Sequence, residues 1–76
     1  MKHEIVAFDK SSEHLVFRIE ISNTLSDELA ALMEWTEPKD AIYEYKLTSE
    51  QISRLEKMTG EAFNHPDYIF QLSCSA

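Results

Sequence analysis

The stretch His14-Leu15-Val16-Phe17-Arg18-Ile19-Glu20-Ile21 decides the fold. Leu15, Phe17, Ile19 and Ile21 alternate with His14, Val16, Arg18 and Glu20, the two-residue period of a strand with one apolar and one wet face. Upstream, Ile5 and Ala7 alternate with Glu4, Val6 and Phe8 in the same way. The polar run Asp9-Lys10-Ser11-Ser12-Glu13 between the two reads as a hairpin connection. Pairing Asp9 with Glu13 leaves a three-residue loop and sets Ile5 opposite Phe17 and Ala7 opposite Leu15 on the core side. The outer side then pairs Glu4 with Arg18, Lys2 with Glu20 and Val6 with Val16. Each complementary charge pair contributes up to about 1 kcal/mol. Both favour this register over one shifted by two residues, which sets Glu4 against Glu20.

Downstream of the hairpin the period changes. Leu25, Leu29, Leu32 and Met33 form a single stripe at helical spacing, with Thr24 or Ser26 able to cap it and Asp27 and Glu28 in the first turn. The far face carries Asp27, Ala31 and Glu34, with Glu28 and Trp35 slightly around it. The helix has to stop by Glu37, because Pro38 disfavours the helical conformation of its predecessor. Ala41 to Leu47 reads as a third strand, with Tyr43, Tyr45 and Leu47 inward and Ile42, Glu44 and Lys46 outward. Thr48-Ser49-Glu50-Gln51 matches a capping box, and Leu47 can staple to Ile52. Ile52, Leu55, Thr59 and Ala62 follow one helix face with Met58 near it; Gly60 suits the helix end, and Glu61-Ala62-Phe63 can add a short turn. Asn64-His65-Pro66-Asp67 is turn chemistry, and Tyr68, Phe70 and Leu72 mark a fourth strand. The order β-β-α-β-α-β predicts an α+β fold: a four-stranded sheet with two helices packed on one face.

The 76 residues, 43% of them hydrophobic, suffice for a single domain spanning 1–76. Seven Lys and Arg face fourteen Asp and Glu, a net charge of −7. Nucleic acid and anionic membranes are therefore poor partners, and a basic protein surface is a natural one. The single cysteine, Cys74, excludes an internal disulfide. No apolar stretch approaches the ~18 residues of a spanning helix, and the N-terminal residues lack a signal peptide's apolar run. Together with the cysteine usage this leads us to expect a cytoplasmic protein.

Catalytic patterns are missing from the sequence. His3, His14 and His65 stand far from one another and, in the register above, His3 faces Ile19 while His14 faces Phe8, so they build no metal site. Serines fall mostly in caps, turns and the tail. One glycine, Gly60, cannot make a phosphate-cradling loop. The expectation is a protein that is not an enzyme and has no cofactor and no metal.

Charge is unevenly spread. Residues 1–19 are net zero and residues 45–76 net −1, whereas residues 20–44 carry Glu20, Asp27, Glu28, Glu34, Glu37, Asp40 and Glu44 against Lys39, net −6. Trp35 within this run either anchors an interface, as Trp among hot spots does, or folds back to cap the core. Asp27, Glu28, Glu34, Trp35, Glu37, Asp40 and Glu44 are the candidate partner-binding residues. A second candidate is the outer sheet face, where Val6, Phe8 and Val16 can seat a partner or a second copy; monomer and weak dimer both stay open.

The hairpin Asp9-Lys10-Ser11-Ser12-Glu13, the apolar strand Leu15 to Ile21, the acidic middle, the helix opening Thr48-Ser49-Glu50-Gln51 and the closing Tyr68-Ile69-Phe70 together resemble small acidic bacterial immunity proteins. These are encoded beside the toxins of contact-dependent growth inhibition and bacteriocin systems. The resemblance spans nearly the whole chain but lies in layout, with no diagnostic motif. It implies a cytoplasmic inhibitor that binds one cognate toxin domain, often a basic nuclease. Glu34, Glu37, Asp40 and Glu44 would then meet the toxin's phosphate-binding Lys and Arg, with Trp35 supplying buried contact area. Two other classes fit less closely: an acidic nucleic-acid mimic or regulatory subunit acting on a DNA- or RNA-binding protein, and a small enzyme or metal-dependent module.

Overall fold

In the computed structural model, which describes residues 2–75, the hairpin forms as β1 (Lys2–Asp9) and β2 (Leu15–Ile21). Its register differs from the expected one by two residues. His3 pairs with Ile21, Glu4 with Glu20, Ile5 with Ile19 and Ala7 with Phe17; a bulge follows, and Phe8 pairs with Leu15. The turn explains part of the shift. The Asp9 carboxylate accepts the Ser11 and Ser12 amides at 2.8 and 3.0 Å. Asp9 N–H bonds the His14 carbonyl, and Glu13 closes the loop with φ 63°. The connection is therefore four residues long, and the bulge adds one more.

Burial explains the rest. The observed register carries Ile21 over the sheet, where it is only 3% exposed. Burying an isoleucine contributes about 1.5–3 kcal/mol, against at most about 2 kcal/mol for the two surface charge pairs that favoured the other register. Those pairs survive as diagonals, Arg18–Glu4 at 3.5 Å and Lys2–Glu20 at 3.9 Å, and these offset the Glu4–Glu20 juxtaposition. A shift of two keeps every side chain on its face up to the bulge. Beyond it Leu15, expected inward, sits opposite Phe8 and is 45% exposed.

The first helix, α1 (Ser26–Met33), is entered through a 3-10 turn at Asn23–Leu25 that Ser22 caps. Leu29 and Leu32 are buried, with Leu25 and Met33 packed against the core, as the stripe predicts. Met33 is its last residue, ahead of the limit set by Pro38. The expected strand over Ala41–Leu47 is reduced to β3 (Tyr45–Lys46), and a 3-10 turn at Pro38–Ile42 takes its first two residues. The cause is Asp40: its carboxylate accepts the amides of Thr36 and Glu37 at 3.1 and 3.2 Å, which winds the backbone through Ile42. Tyr43, expected inward, is consequently exposed, while Tyr45 and Leu47 face the core.

The second helix, α2 (Ser49–Thr59), has both bonds of its capping box, Gln51 N–H to Thr48 Oγ1 and Thr48 N–H to Gln51 Oε1. Gly60 ends it in the left-handed region at φ 76°. Ala62 does not continue its buried face; Phe63 is buried instead, because Glu56 Oε2 accepts the Phe63 and Asn64 amides and pulls the chain back over the core. The last strand, β4 (Tyr68–Ser75), buries Phe70 and Leu72.

The sheet order is β2-β1-β4-β3, antiparallel throughout. Ile5, Ala7, Ile21, Phe70 and Leu72 meet Leu29 and Leu32 of α1 and Ile52 and Leu55 of α2 in one cluster, so both helices cover a single face. The architecture is the expected α+β fold.

Candidate partner-binding surface

The acidic run is distributed by two helix ends and a turn. Asp27 and Glu28 stand exposed on the first turn of α1, where the helix dipole favours carboxylates. Glu34 lies at the other end and takes φ 59°. The Glu34 amide bonds the Ala31 carbonyl and the Trp35 amide bonds the Ala30 carbonyl at 3.0 Å, the pair that defines a Schellman ending. Glycine ordinarily fills that left-handed position, so Glu34 is held in a conformation that costs about 1–2 kcal/mol. Glu37 is exposed and pairs with Lys39 at 3.1 Å, while Glu44 is exposed in the approach to β3. Among the described residues Asp27, Glu28, Glu34 and Glu44 form no ion pair.

Two of the expected contact residues have other duties. Asp40 is half-buried and its carboxylate holds the 3-10 turn, so it is a structural acid. Trp35 takes the second of its two alternatives. The Schellman turn swings it back against the core, with its ring 5.5 Å from His3 and 5.8 Å from Tyr45. Its Nε1 is buried without a hydrogen-bond partner among the described residues. His3 Nε2 in turn bonds the Ala41 carbonyl at 3.0 Å, and the Tyr45 hydroxyl donates to the Asp40 carbonyl at 2.6 Å. Segment 35–45 is thereby pinned to β1 and β3. Trp35 and Glu37 line one groove of about 290 Å³ with His3, Ser26, Ala30, Thr36 and Ala41. His3 carried no sequence signal for this role, since its partners Trp35 and Ala41 lie 32 and 38 residues away.

The outer sheet face is less open than its sequence suggests. Val6, flanked by Arg18 and Gln71, is only 5% exposed, and Phe8 is half-buried. Val16 does remain exposed, and Leu15 joins it as an exposed apolar residue at the start of β2. On the helix side of β2 there is an unanticipated concavity of about 500 Å³ lined by Phe17, Ile19, Phe63, Asn64, His65 and Tyr68, among others. His65 stacks on Tyr68 and its Nδ1 accepts the Asp67 amide, as a turn residue would. No group of His, Cys, Asp and Glu among the described residues is arranged to hold a metal ion. No helix among the described residues is long and apolar enough to cross a membrane.

Fold and surface define a small α+β domain in which Asp27, Glu28, Glu34 and Glu44 are exposed with no ion pair among the described residues. A family model described as a domain of unknown function, DUF7683, matches residues 2–73, and the chain belongs to that family. Comparison with curated proteins and with solved structures finds no match.

Proposed function

We propose that this chain is an immunity protein, a cytoplasmic inhibitor that binds and neutralises a cognate toxin domain, with a basic nuclease as the best-fitting class. The observation that carries the reading is the set Asp27, Glu28, Glu34 and Glu44, all exposed within residues 27–44 and forming no ion pair among the described residues. Unneutralised carboxylates speed encounter with a cationic surface and fix its orientation. Glu34 adds a second support. Its carboxylate stands at a left-handed position that glycine fills at lower cost, and, unlike Glu13 in the hairpin turn, it belongs to the acidic run. Trp35 and Asp40 act here as scaffold, holding the acidic ends in place.

The test is co-expression with the domain encoded beside this gene in its native host. The wild-type chain is expected to form a stoichiometric complex and suppress the toxicity of that domain. The variant Asp27→Lys/Glu34→Lys/Glu44→Lys is expected to weaken binding by at least tenfold while retaining its circular dichroism spectrum; Asp40 is left intact because its loss would unwind the turn. An unprotected host, or a triple variant that binds as well as wild type, would refute the proposal. Binding instead to a DNA- or RNA-binding protein of a restriction or phage cluster would replace it with nucleic-acid mimicry.

A further inference from the structure

The two edges of the sheet are unequal. On one side β4 is covered by β3 and by Leu47, whose amide bonds the Phe70 carbonyl at 2.9 Å. On the other side β2 pairs only with β1, so Leu15–Ile21 presents a row of outward backbone amides and carbonyls. The usual edge protections are scarce there. The strand has no proline, it is seven residues long, and its one bulge lies at its very start. Leu15 and Val16 are exposed beside it, and the 500 Å³ concavity runs along its helix side.

We infer that β2 is a self-pairing edge, on which a second copy of this chain docks antiparallel about a two-fold axis at Ile19. Charge selects the copy and the register together. Two chains of net charge −7 repel, but the strand that meets its copy, Leu15–Ile21, carries one base and one acid, Arg18 and Glu20, and is net zero. Pairing centred on Ile19 sets Arg18 opposite Glu20 of the second copy on both sides of the axis. Shifting the centre by one residue sets Arg18 against Arg18, or Glu20 against Glu20, and like charges directly opposite are destabilising. A centre between two residues would put the apolar face of one strand against the wet face of the other. The Ile19 register also sets Phe17 opposite Ile21 of the second copy. Phe17 and Ile19 are half-buried and line the concavity with Tyr68, so the pairing brings the two copies' concavities together on the helix side of the joined sheet. The result is an eight-stranded sheet with all four helices on one face, and Asp27, Glu28, Glu34 and Glu44 of both copies lie outside the pairing. This inference stands apart from the immunity reading.

Sedimentation velocity of the full chain over a micromolar to millimolar range tests it. Dimer is expected to accumulate with concentration. Arg18→Glu alone and Glu20→Arg alone are each expected to weaken dimerisation at least tenfold. An equimolar mixture of the two is expected to restore it, because the first variant then presents acids at both positions to a second variant that presents bases at both. A misfolded variant could not be rescued by mixing. In a Cys74→Ser background, Ile19→Cys is expected to cross-link to its own copy on oxidation, and Val16→Cys is not, since residues 16 lie several positions apart across the axis. A monomer at every concentration overturns the inference. So does a dimer that ignores both charge variants, or one that cross-links through Val16→Cys; a monomer whose β2 edge instead captures a strand of another protein overturns self-pairing in favour of that partner.

Discussion

The two helices of this domain are made to different standards. α2 has a reciprocal capping box at Thr48 and Gln51, a basic residue in its last turn, and glycine at its left-handed end. α1 is shorter, has no side-chain cap at its own N-terminus and no base in its last turn, and puts Glu34 where glycine would be unstrained. Yet both bury their apolar stripes equally well, Leu29 at 1% and Leu55 at 0% exposure. The core makes the same demand on each. The difference lies in the ends, and the imperfect ends belong to the helix that carries the acidic residues. Residues that would optimise α1 as a helix, glycine at 34 and a base near its C-terminus, would remove the charge its surface displays.

The largest expected effects test the shared part of that contrast. Leu29→Ala and Leu55→Ala should each cost about 3 kcal/mol, a large share of the roughly 4–11 kcal/mol available to a chain of this length. Urea titrations should give similar midpoints for the two; a loss several-fold smaller for Leu29→Ala would mean that α1 is peripheral to the core. The next pair separates the helix ends. Glu34→Gly should raise stability by about 1 kcal/mol, whereas Gly60→Ala should lower it by about 1 kcal/mol. Nothing lies within 4 Å of a methyl group placed at Gly60, so its cost is conformational alone. Thr48→Ala should lose about 1 kcal/mol through its cap.

The smallest effect concerns the hairpin turn. The Ser12 and Ser11 amides bonded to the Asp9 carboxylate hold its pKa below the ordinary 3.8. A carboxylate with a lowered folded pKa stabilises fully above its ordinary value and loses that contribution as pH falls through the folded one. The gap in thermal midpoint between wild type and Asp9→Ala should therefore be steady near neutral pH and narrow only in strong acid. A gap that widens on acidification would contradict this turn geometry.

What was legible in the sequence follows the range of the interactions. Thr48 to Gln51 and Gly60 declare α2 through bonds spanning three or four residues, and the alternation in β2 declares its faces. The register required the Asp9 turn, whose serine amides bond a carboxylate two and three residues away, and the depth of Ile21 in the assembled core. Surface charge pointed the other way by at most about 2 kcal/mol. The segment Ala41–Leu47 alternates well enough to mimic a strand, but one carboxylate on Asp40, reaching back to Thr36 and Glu37, winds its first two residues into a turn. Phe63 was hidden because the bond that places it starts at Glu56, seven residues earlier. The acidic bias of residues 20–44 is plain from composition, while the division between displayed carboxylates and the structural Asp40 is set by the turn that Asp40 closes. Trp35 was readable as two alternatives, and the left-handed turn at Glu34 chooses between them.

The most direct test is the association rate between this chain and its cognate toxin domain as ionic strength is raised, measured by stopped flow. If displayed carboxylates guide the encounter, the rate falls by more than tenfold between about 50 and 500 mM salt. Asp27→Lys/Glu34→Lys/Glu44→Lys should then start slow and stay flat. Equal rates for the two chains, with the same shallow salt dependence, would contradict a partner surface built on these residues.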